Sequence, residues 1–180
     1  MREYEAADAL LEAEAVLPRD AALVPLAPRH KKPLVEAWTA ITSSQRRDPG
    51  FRALFRGEVG VGLLCGVPSG GICMVDLDRD DLVVAAEEAF AVLCQAPRIH
   101  GARGAKWLVR VGEPTAGFAL RDRRGRKIGE FLGERQQGVV AGIHPVSLQS
   151  YRWHRQGKIP VVKALSIAEA FSLQLPPPHD

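Results

Sequence analysis

One apolar run that ends in two aspartates constrains this chain most: Ile-Cys-Met-Val-Asp-Leu-Asp, residues 72–78. The run predicts a β-strand, and residues i and i+2 of a strand project from the same face, about 6–7 Å apart. Two carboxylates on one face repel each other, and Asp is disfavoured inside strands. A hard divalent cation between Asp76 and Asp78, Mg²⁺ or Mn²⁺, resolves this repulsion most simply. The alternative is that the strand ends at Val75 and that the aspartates cap the next helix.

The segments around this run predict an α+β chain. Apolar runs separated by Gly, Pro and polar turns predict strands, and apolar residues three and four apart predict helices. The elements do not alternate regularly, as they would in a parallel α/β fold. Predicted strands cover 21–28, 59–66, 72–78, 106–111, 118–121, 127–132, 138–142 and 151–153, with an edge strand at 159–162. Predicted helices cover 2–17, 80–94 and 166–173, with a helical turn at 34–41.

A third carboxylate, Glu130, lies in the predicted strand Lys-Ile-Gly-Glu-Phe-Leu. It has the same parity as Ile128 and Leu132, so a regular strand places it on their apolar face. With Asp76 and Asp78 it provides three acids on two neighbouring strands, which is a donor set for a two-metal site. The alternative for Glu130 alone is a solvated surface position.

Two basic segments are candidates for contacts with anions. The loop 101–107 carries Arg103 and Lys106 among small residues, which let backbone N–H groups approach a phosphate while Lys supplies charge. It lacks the GK[ST] sequence of a Walker A loop. The turn 121–126 carries Arg123, Arg124 and Arg126, which are either solvated or in contact with a nucleic-acid backbone.

Composition excludes several classes of protein. The chain has 180 residues and a formal net charge of +3, far below a histone-like charge density, although 18 of its 24 basic residues are Arg. Its three cysteines form no C-x-x-C pair, which argues against a structural zinc site and against a disulfide framework. We recognise neither a signal peptide nor an apolar stretch of membrane-spanning length, so we expect a cytoplasmic protein without a membrane partner.

Three segments together resemble a known family, the N-terminal primase-polymerase domain of bifunctional DNA primase/polymerases in the archaeo-eukaryotic primase superfamily. Residues 24–38 resemble its Pro-loop-Lys-x-Pro…Trp element, and residues 61–78 resemble its strand–turn–strand that ends in acid-x-acid. Residues 128–153 resemble its last acid and the following Val-Val…Ile-His-Pro…Tyr-x-Trp run. The matching residues are Pro25, Lys31, Pro33, Trp38, Asp76, Asp78, Glu130, His144, Tyr151 and Trp153.

The resemblance implies the archaeo-eukaryotic primase fold. In this α+β fold an RRM-like antiparallel sheet forms the catalytic half and a small α/β unit forms the N-terminal half. We therefore expect one domain over residues 1–175, with an N-terminal unit over 1–57 and a catalytic unit over 58–175. Residues 176–180 are expected to form a linker or tail.

The resemblance also implies a function, template-directed nucleotidyl transfer by a DNA primase and polymerase. The setting it implies is the replication of a plasmid, phage or integrated element. Asp76, Asp78 and Glu130 would be the catalytic residues and would bind two Mg²⁺ or Mn²⁺ ions.

The same resemblance implies three kinds of partner. The substrates would be dNTPs or NTPs, bound by Lys106, Arg103 and His144. A helicase, fused or separate, would act with the domain. A single-stranded or primed DNA template would contact five basic residues, Lys31, Lys32, Arg123, Arg124 and Arg126.

The sequence departs from the family's pattern at two positions. Lys106 stands where the family has a His that contacts the nucleotide phosphates, and Gly142 stands where a Ser usually precedes His144 by two residues. Lys can hold a triphosphate but cannot act as a neutral imidazole. Two alternatives stay open: a degenerate module that binds nucleotide or DNA without turnover, and a two-metal nuclease that uses the same three acids.

Overall fold

The chain folds into helices and two antiparallel sheets, and the computed structural model describes residues 6–179. The predicted α+β class is confirmed. The strands are β1 (Leu23–Leu26), β2 (Gly60–Leu64), β3 (Ile72–Leu77), β4 (Arg98–His100), β5 (Ala105–Arg110), β6 (Phe118–Arg121), β7 (Lys127–Leu132), β8 (Gln137–Ala141) and β9 (Arg152–Arg155). The helices are α1 (Ala6–Val16), α2 (Pro49–Arg52), α3 (Val83–Ala89) and α4 (Ala164–Gln174), and short 3₁₀ turns cover Trp38–Ala40, Ser43–Arg47, Val67–Ser69, Asp80–Leu82 and Ala91–Cys94.

The smaller sheet has three antiparallel strands in the order β1-β2-β8. Every residue of β1 and β2 is buried, as continuous apolar runs of this length predict for a strand that is covered on both faces. Helix α1 packs against β2 and β8 and buries Ala9, Leu10 and Ala13. This sheet and α1 therefore form one apolar layer of the molecule.

The larger sheet has six antiparallel strands in the order β6-β7-β3-β5-β4-β9. Its centre is apolar, since Ile72–Val75 of β3 and Trp107–Val109 of β5 are buried. Helix α3 lies next to the face that carries Trp107, whose Nε1 donates to Glu87 at 3.0 Å. Helix α4 packs against α3 and β6 and buries Ile167 and Phe171.

The opposite face of the large sheet is covered along only part of its length. Met74 lies on this face, and a Cβ atom at Gly138 of β8 would approach its Sδ atom to 2.2 Å. The small sheet is thus packed tightly on the Met74 end. Further along the same face Asp76 is half-buried and Asp78 is exposed, so the polar end of β3 is left open.

Most predicted elements near the acids are present. The predicted strands at 59–66 and 72–78 contain β2 and β3, and those at 106–111 and 138–142 overlap β5 and β8, which begin one residue earlier. Strands β6 and β7 match the predicted strands 118–121 and 127–132 and pair with each other. The predicted strand at 151–153 is shifted, because β9 covers Arg152–Arg155. The predicted edge strand at 159–162 makes only a single bridge, between Arg110 and Val161.

The predicted helical turn within 34–41 is present as the 3₁₀ turn Trp38–Ala40. One helix prediction is wrong in extent. The predicted helix 80–94 is broken at Phe90, which has φ −133° and ψ 87°. The break allows Leu93 to be fully buried while its carbonyl oxygen accepts a hydrogen bond from Arg155. A tertiary contact therefore outweighs local helix propensity here.

The small sheet joins the two units that the sequence predicts. Strand β1 belongs to the predicted N-terminal unit, whereas β2 and β8 come from the predicted catalytic unit. The boundary near residue 57 stays a prediction. At the other end of the chain, the predicted tail contacts the turn after β3: the His179 carbonyl oxygen accepts from Arg79 at 2.7 Å. Among the helices described, none is long and apolar enough to span a bilayer.

Candidate active site

A row of three charged residues crosses the middle of the large sheet. Asp76 on β3 is paired with Lys106 on β5 and with Glu130 on β7. Residues directly opposite each other in antiparallel strands share a face, with Cβ atoms about 4.5–5.5 Å apart. Asp78 shares this face because it lies two residues beyond Asp76. The backbone therefore brings the three predicted acids and Lys106 to one place.

Two glycines allow the strands on either side to approach the end of β3. A Cβ atom at Gly129 would lie 2.0 Å from the carbonyl oxygen of Asp76, and one at Gly104 would lie 1.8 Å from that of Leu77. Gly104 also has φ +65°, which favours glycine. Its N–H donates to Asp80 at 2.7 Å. Asp80 therefore fixes the loop before β5.

The open end of this face forms a cleft of about 510 Å³. Asp76 and Asp78 line it together with three cations, Lys31, Arg103 and Lys106. Acids and cations in one cleft can bind the two charged parts of a metal–polyphosphate complex, because carboxylates are ligands for hard cations and Lys and Arg bind phosphate oxygens.

The electrostatics of Asp76 reflect this crowding. Burial raises the pKa of its carboxyl group, the positive charge of Lys106 opposes that effect, and the negative charges of Asp78 and Glu130 add to it. A half-buried carboxylate beside two others is in the environment that a bound cation would relieve.

Lys106 is the buried cation of the site. Its side chain is 9% exposed, its Nζ atom lies 3.4 Å from the carbonyl oxygen of Val139, and the same atom lies 5.1 Å from the ring centroid of Tyr151. Burial lowers the pKa of Lys106, and Asp76 opposes that shift. The ammonium group is thus held beside Asp76 as a fixed point charge.

The side chain of Glu130 is turned along its own strand. Its Oε1 atom accepts from Lys127 at 2.7 Å, and both side chains are about half exposed. Glu130 does not line the cleft. Over the described residues, no three His, Cys, Asp or Glu side chains form a group that could hold a metal. The oxygen donors and their backbone placement suit Mg²⁺ or Mn²⁺, but Glu130 would have to leave Lys127 to take part.

His144 shapes a loop at the rim of the cleft. Its Nδ1 atom accepts from the N–H groups of Val146 at 3.1 Å and Ser147 at 3.2 Å, so in the neutral ring the proton is on Nε2. Burial lowers the pKa of His144, and Lys31, Lys106 and Arg103 lower it further. The ring therefore offers one N–H donor, and it presents Val146, 83% exposed, beside the cleft.

The predicted DNA-contact residues fall into two groups. Lys31 lines the cleft itself, whereas Lys32 does not. The arginines Arg123, Arg124 and Arg126 are exposed at the β6–β7 turn and are not part of the cleft. Buried Asp122 organises this turn, since its Oδ1 atom accepts from the N–H groups of Arg124 at 2.8 Å and Arg126 at 3.0 Å.

Sequence reasoning missed two contributors to the cleft. Lys31 lines the cleft together with Asp76, and its place in the Lys-x-Pro element is the available signal; its contact with template stays a prediction. Tyr151 was recognised only as part of a motif, but it is buried, it packs against Lys106 and His144, and burial together with Asp76 raises its pKa. Tyr151 lies 45 residues after Lys106 in the sequence, so no local pattern predicts the contact between their side chains.

The antiparallel sheets and helices define an α+β domain whose cleft is lined by both acids and cations. The chain belongs to the family of N-terminal domains of bifunctional DNA primase/polymerases, whose sequence model matches residues 13–170, most of the chain. This family is of the nucleotidyltransferase type, acts on DNA and nucleotides, and generally uses divalent metals. No curated protein matches the chain at a significant level.

Proposed function

We propose that this domain catalyses template-directed nucleotidyl transfer in the cleft formed by Asp76, Asp78 and Lys106. The observation that carries the proposal is the half-buried Asp76, paired across the sheet with Lys106 on one side and Glu130 on the other. In the reaction, the 3′-oxygen of a primer loses its proton to water and bonds to the α-phosphorus of a nucleoside triphosphate. The bond to pyrophosphate breaks, and pyrophosphate leaves.

Asp76 and Asp78 are the residues that would hold divalent ions. Glu130 would join them if its side chain gave up the ion pair with Lys127 and turned into the cleft. When bound, such ions neutralise the attacking and leaving oxygens. Asp76 would contribute most to metal binding, because its carboxylate is buried beside two other carboxylates and a bound cation would neutralise their repulsion.

The cations of the cleft would bind the triphosphate. Lys106 is fixed by Val139 and Tyr151, so it would provide a charge that needs no reorganisation during the reaction. Arg103 and Lys31 lie on the same cleft and would add charge at the β- and γ-phosphates. His144 would donate through Nε2 to a sugar or phosphate oxygen.

A second function, nucleotide or DNA binding without turnover, is favoured by one observation. The Glu130 carboxylate is paired with Lys127, which leaves two acids in the cleft. A site with two carboxylates and several cations can hold a triphosphate even if it does not assemble the donors needed for transfer.

Titration of dATP in the presence of Mn²⁺ tests the proposal, with wild type compared with Asp76→Ala/Asp78→Ala. We expect metal-dependent binding to wild type and a loss of at least tenfold in the variant, since each lost charged contact contributes about 1.5–3 kcal/mol. Asp81→Ala is the matched control, because Asp81 is paired with Arg79 and lies outside the cleft.

Primer extension on a primed single-stranded template then separates the two functions. Incorporation by wild type and none by Asp76→Ala supports transfer. Tight binding of dATP with no incorporation on any template supports the binding module instead. Degradation of labelled DNA without added nucleotides would indicate a nuclease, and full activity of Asp76→Ala would rule out this site.

A further inference from the structure

A second pocket, of about 420 Å³, lies on the N-terminal part of the chain and is rich in arginine. It is formed by the end of α1, the segment before β1, the 3₁₀ turn Ser43–Arg47 and α2. None of its residues lines the cleft of the candidate active site. Its lining residues are Glu14, Arg19, Ser43, Arg46, Arg47 and Arg52.

Two of these arginines are held rigidly. Arg46, whose side chain is only 10% exposed, donates through Nη1 to the carbonyl oxygens of Pro18 at 2.7 Å and Ala21 at 3.2 Å. Arg52 donates to both carboxylate oxygens of Glu14 and to the carbonyl oxygen of Arg46. The pocket is therefore organised before any ligand arrives.

The other two arginines supply positive charge at the mouth of the pocket. Arg19 and Arg47 are exposed, and among residues 8–179 their side chains find no hydrogen-bond or ion-pair partner. Four guanidinium groups and one carboxylate, Glu14, line the pocket, and the charge of Asp20 also acts on Arg46, so the arginines outnumber the acids by four to two. A planar guanidinium group matches the oxygens of a phosphate in a bidentate contact, and the Ser43 hydroxyl adds a donor.

The pocket and the cleft lie at opposite ends of β1. Arg46 binds the carbonyl groups of Pro18 and Ala21, which precede β1, whereas Lys31, which follows β1, lines the cleft. At about 3.3 Å per residue, the stretch from residue 21 to residue 27 spans about 20 Å. A single DNA strand several nucleotides long covers that distance.

We propose that this arginine pocket binds a backbone phosphate of a single DNA strand that also reaches the cleft. The identity of the ligand as DNA rests on the proposed function, and the phosphate chemistry rests on the pocket itself. Arg19 and Arg47 bind the phosphate, while Arg46 and Arg52 keep the pocket in shape. The contact is with the backbone, so it is independent of base sequence.

The salt dependence of DNA binding tests this site. Anisotropy of a labelled oligo(dT) of about 16 nucleotides is measured across salt concentrations for wild type and for Arg19→Ala/Arg47→Ala. Each lost phosphate contact lowers the slope of log K against log salt by about 0.7. Because Arg19 and Arg47 bind the same phosphate, we expect the slope to fall by about 0.7 and the affinity at about 50 mM salt to fall about tenfold.

The matched control is Arg56→Ala/Lys158→Ala, which removes the same charge. Arg56 and Lys158 are exposed and line neither this pocket nor the cleft. An unchanged slope in Arg19→Ala/Arg47→Ala, or an equal loss in the control, overturns the proposal. So does pyrophosphate binding that depends on Arg19 and Arg47 while the DNA slope stays at the wild-type value, because the ligand is then a free anion.

These outcomes are separate from those that test the proposed function. DNA binding is measured without nucleotide or metal, so it does not depend on Asp76 or Asp78. If the salt slope of DNA binding depends on Arg19 and Arg47 but the protein incorporates no nucleotide, the phosphate-binding pocket is supported and nucleotidyl transfer is rejected. If wild type extends primers but Arg19→Ala/Arg47→Ala binds DNA as tightly as wild type, nucleotidyl transfer is supported and the phosphate-binding pocket is rejected.

Discussion

Glu130 occupies the right backbone position for a metal ligand but has a competing partner. It lies opposite Asp76 in the sheet, and its carboxylate accepts from Lys127 at 2.7 Å. Both side chains are about half exposed, and an exposed ion pair contributes about 0.2–1 kcal/mol. A divalent cation beside Asp76 could therefore displace Lys127 at small cost.

This competition predicts the effect of Lys127→Ala. Removal of Lys127 frees Glu130 and takes a positive charge away from the site, so Mn²⁺ should bind up to about fivefold more tightly, the equivalent of about 1 kcal/mol. Electron paramagnetic resonance of free Mn²⁺ measures the change. Lys158→Ala is the control, and Glu130→Gln should cancel the gain; equal affinity in wild type and Lys127→Ala would show that Glu130 is not a ligand.

At this scale the sequence identifies two of the acids and two of the cations that line the cleft, Asp76, Asp78, Arg103 and Lys106. Asp76 and Asp78 are recognisable because acidic residues interrupt an apolar strand. Strand parity predicts Glu130 on the apolar face, and the pairing of β3 with β7 does place it on the face of Met74 and Asp76. Parity does not predict the rotamer of Glu130, which points toward Lys127. The place of Lys31 in the cleft depends on how the chain turns after β1, which spacing does not reveal.

At the scale of elements, one carboxylate ties α3 to the large sheet. The Oε1 atom of Glu87 accepts from Arg98 at 2.7 Å, from Trp107 at 3.0 Å and from Arg155 at 2.6 Å. These partners belong to β4, β5 and β9, so a single side chain links the helix to three strands. Burial raises the pKa of Glu87, but the hydrogen bonds from Trp107 and Arg155 and the charge of Arg98 outweigh it and hold the pKa below its ordinary value.

This linkage predicts that Glu87→Gln destabilises the fold. The substitution removes the charged acceptor that Arg98, Trp107 and Arg155 share, and breaking a buried ion pair costs about 3–5 kcal/mol. Because the arginines are partly exposed, we expect the free energy of unfolding to fall by about 2–3 kcal/mol. Urea unfolding at neutral pH measures the loss. Glu88→Gln, an exposed neighbour on α3, is the control and should change the free energy of unfolding by less than about 0.5 kcal/mol.

The same carboxylate predicts a pH dependence. Its pKa is lower in the folded chain than in the unfolded chain, so its contribution is complete above the unfolded value of about 4.5 and is lost as the pH falls through the folded value. The difference in stability between wild type and Glu87→Gln should therefore shrink below about pH 4.5. A difference that stays constant down to pH 3 would contradict this assignment.

The linkage also shows why β4 escaped prediction. The strand has three residues, Arg98–His100, too few for an alternating pattern to be read. Its position is fixed by long-range contacts: Arg98 bonds to Glu87, and the Arg155 side chain donates to the carbonyl oxygens of Leu93 and Ala96. The long apolar strands β2, β3 and β5 can be predicted from their own residues, whereas β4 forms because tertiary contacts hold it in place.

At the scale of the whole molecule, the site and the core are separate. The core is a continuous cluster of buried apolar residues that spans both sheets, from Leu23 of β1 to Phe171 of α4. The acids lie where the small sheet stops covering the large one, and they are not part of this cluster. We therefore expect a cation to act on the uncovered end of β3 and not on the core.

This separation predicts how metals affect thermal stability. Removal of bound metal with EDTA should leave the protein folded, because the acids lie outside the apolar core. Mn²⁺ at about a hundred times its dissociation constant should add about 2.7 kcal/mol by mass action, which corresponds to a rise of about 5–10 °C for a chain of this size. The rise should vanish in Asp76→Ala/Asp78→Ala and persist in Asp81→Ala. Unfolding by EDTA would contradict the self-sufficient core, and an equal rise in Asp76→Ala/Asp78→Ala would place the metal elsewhere.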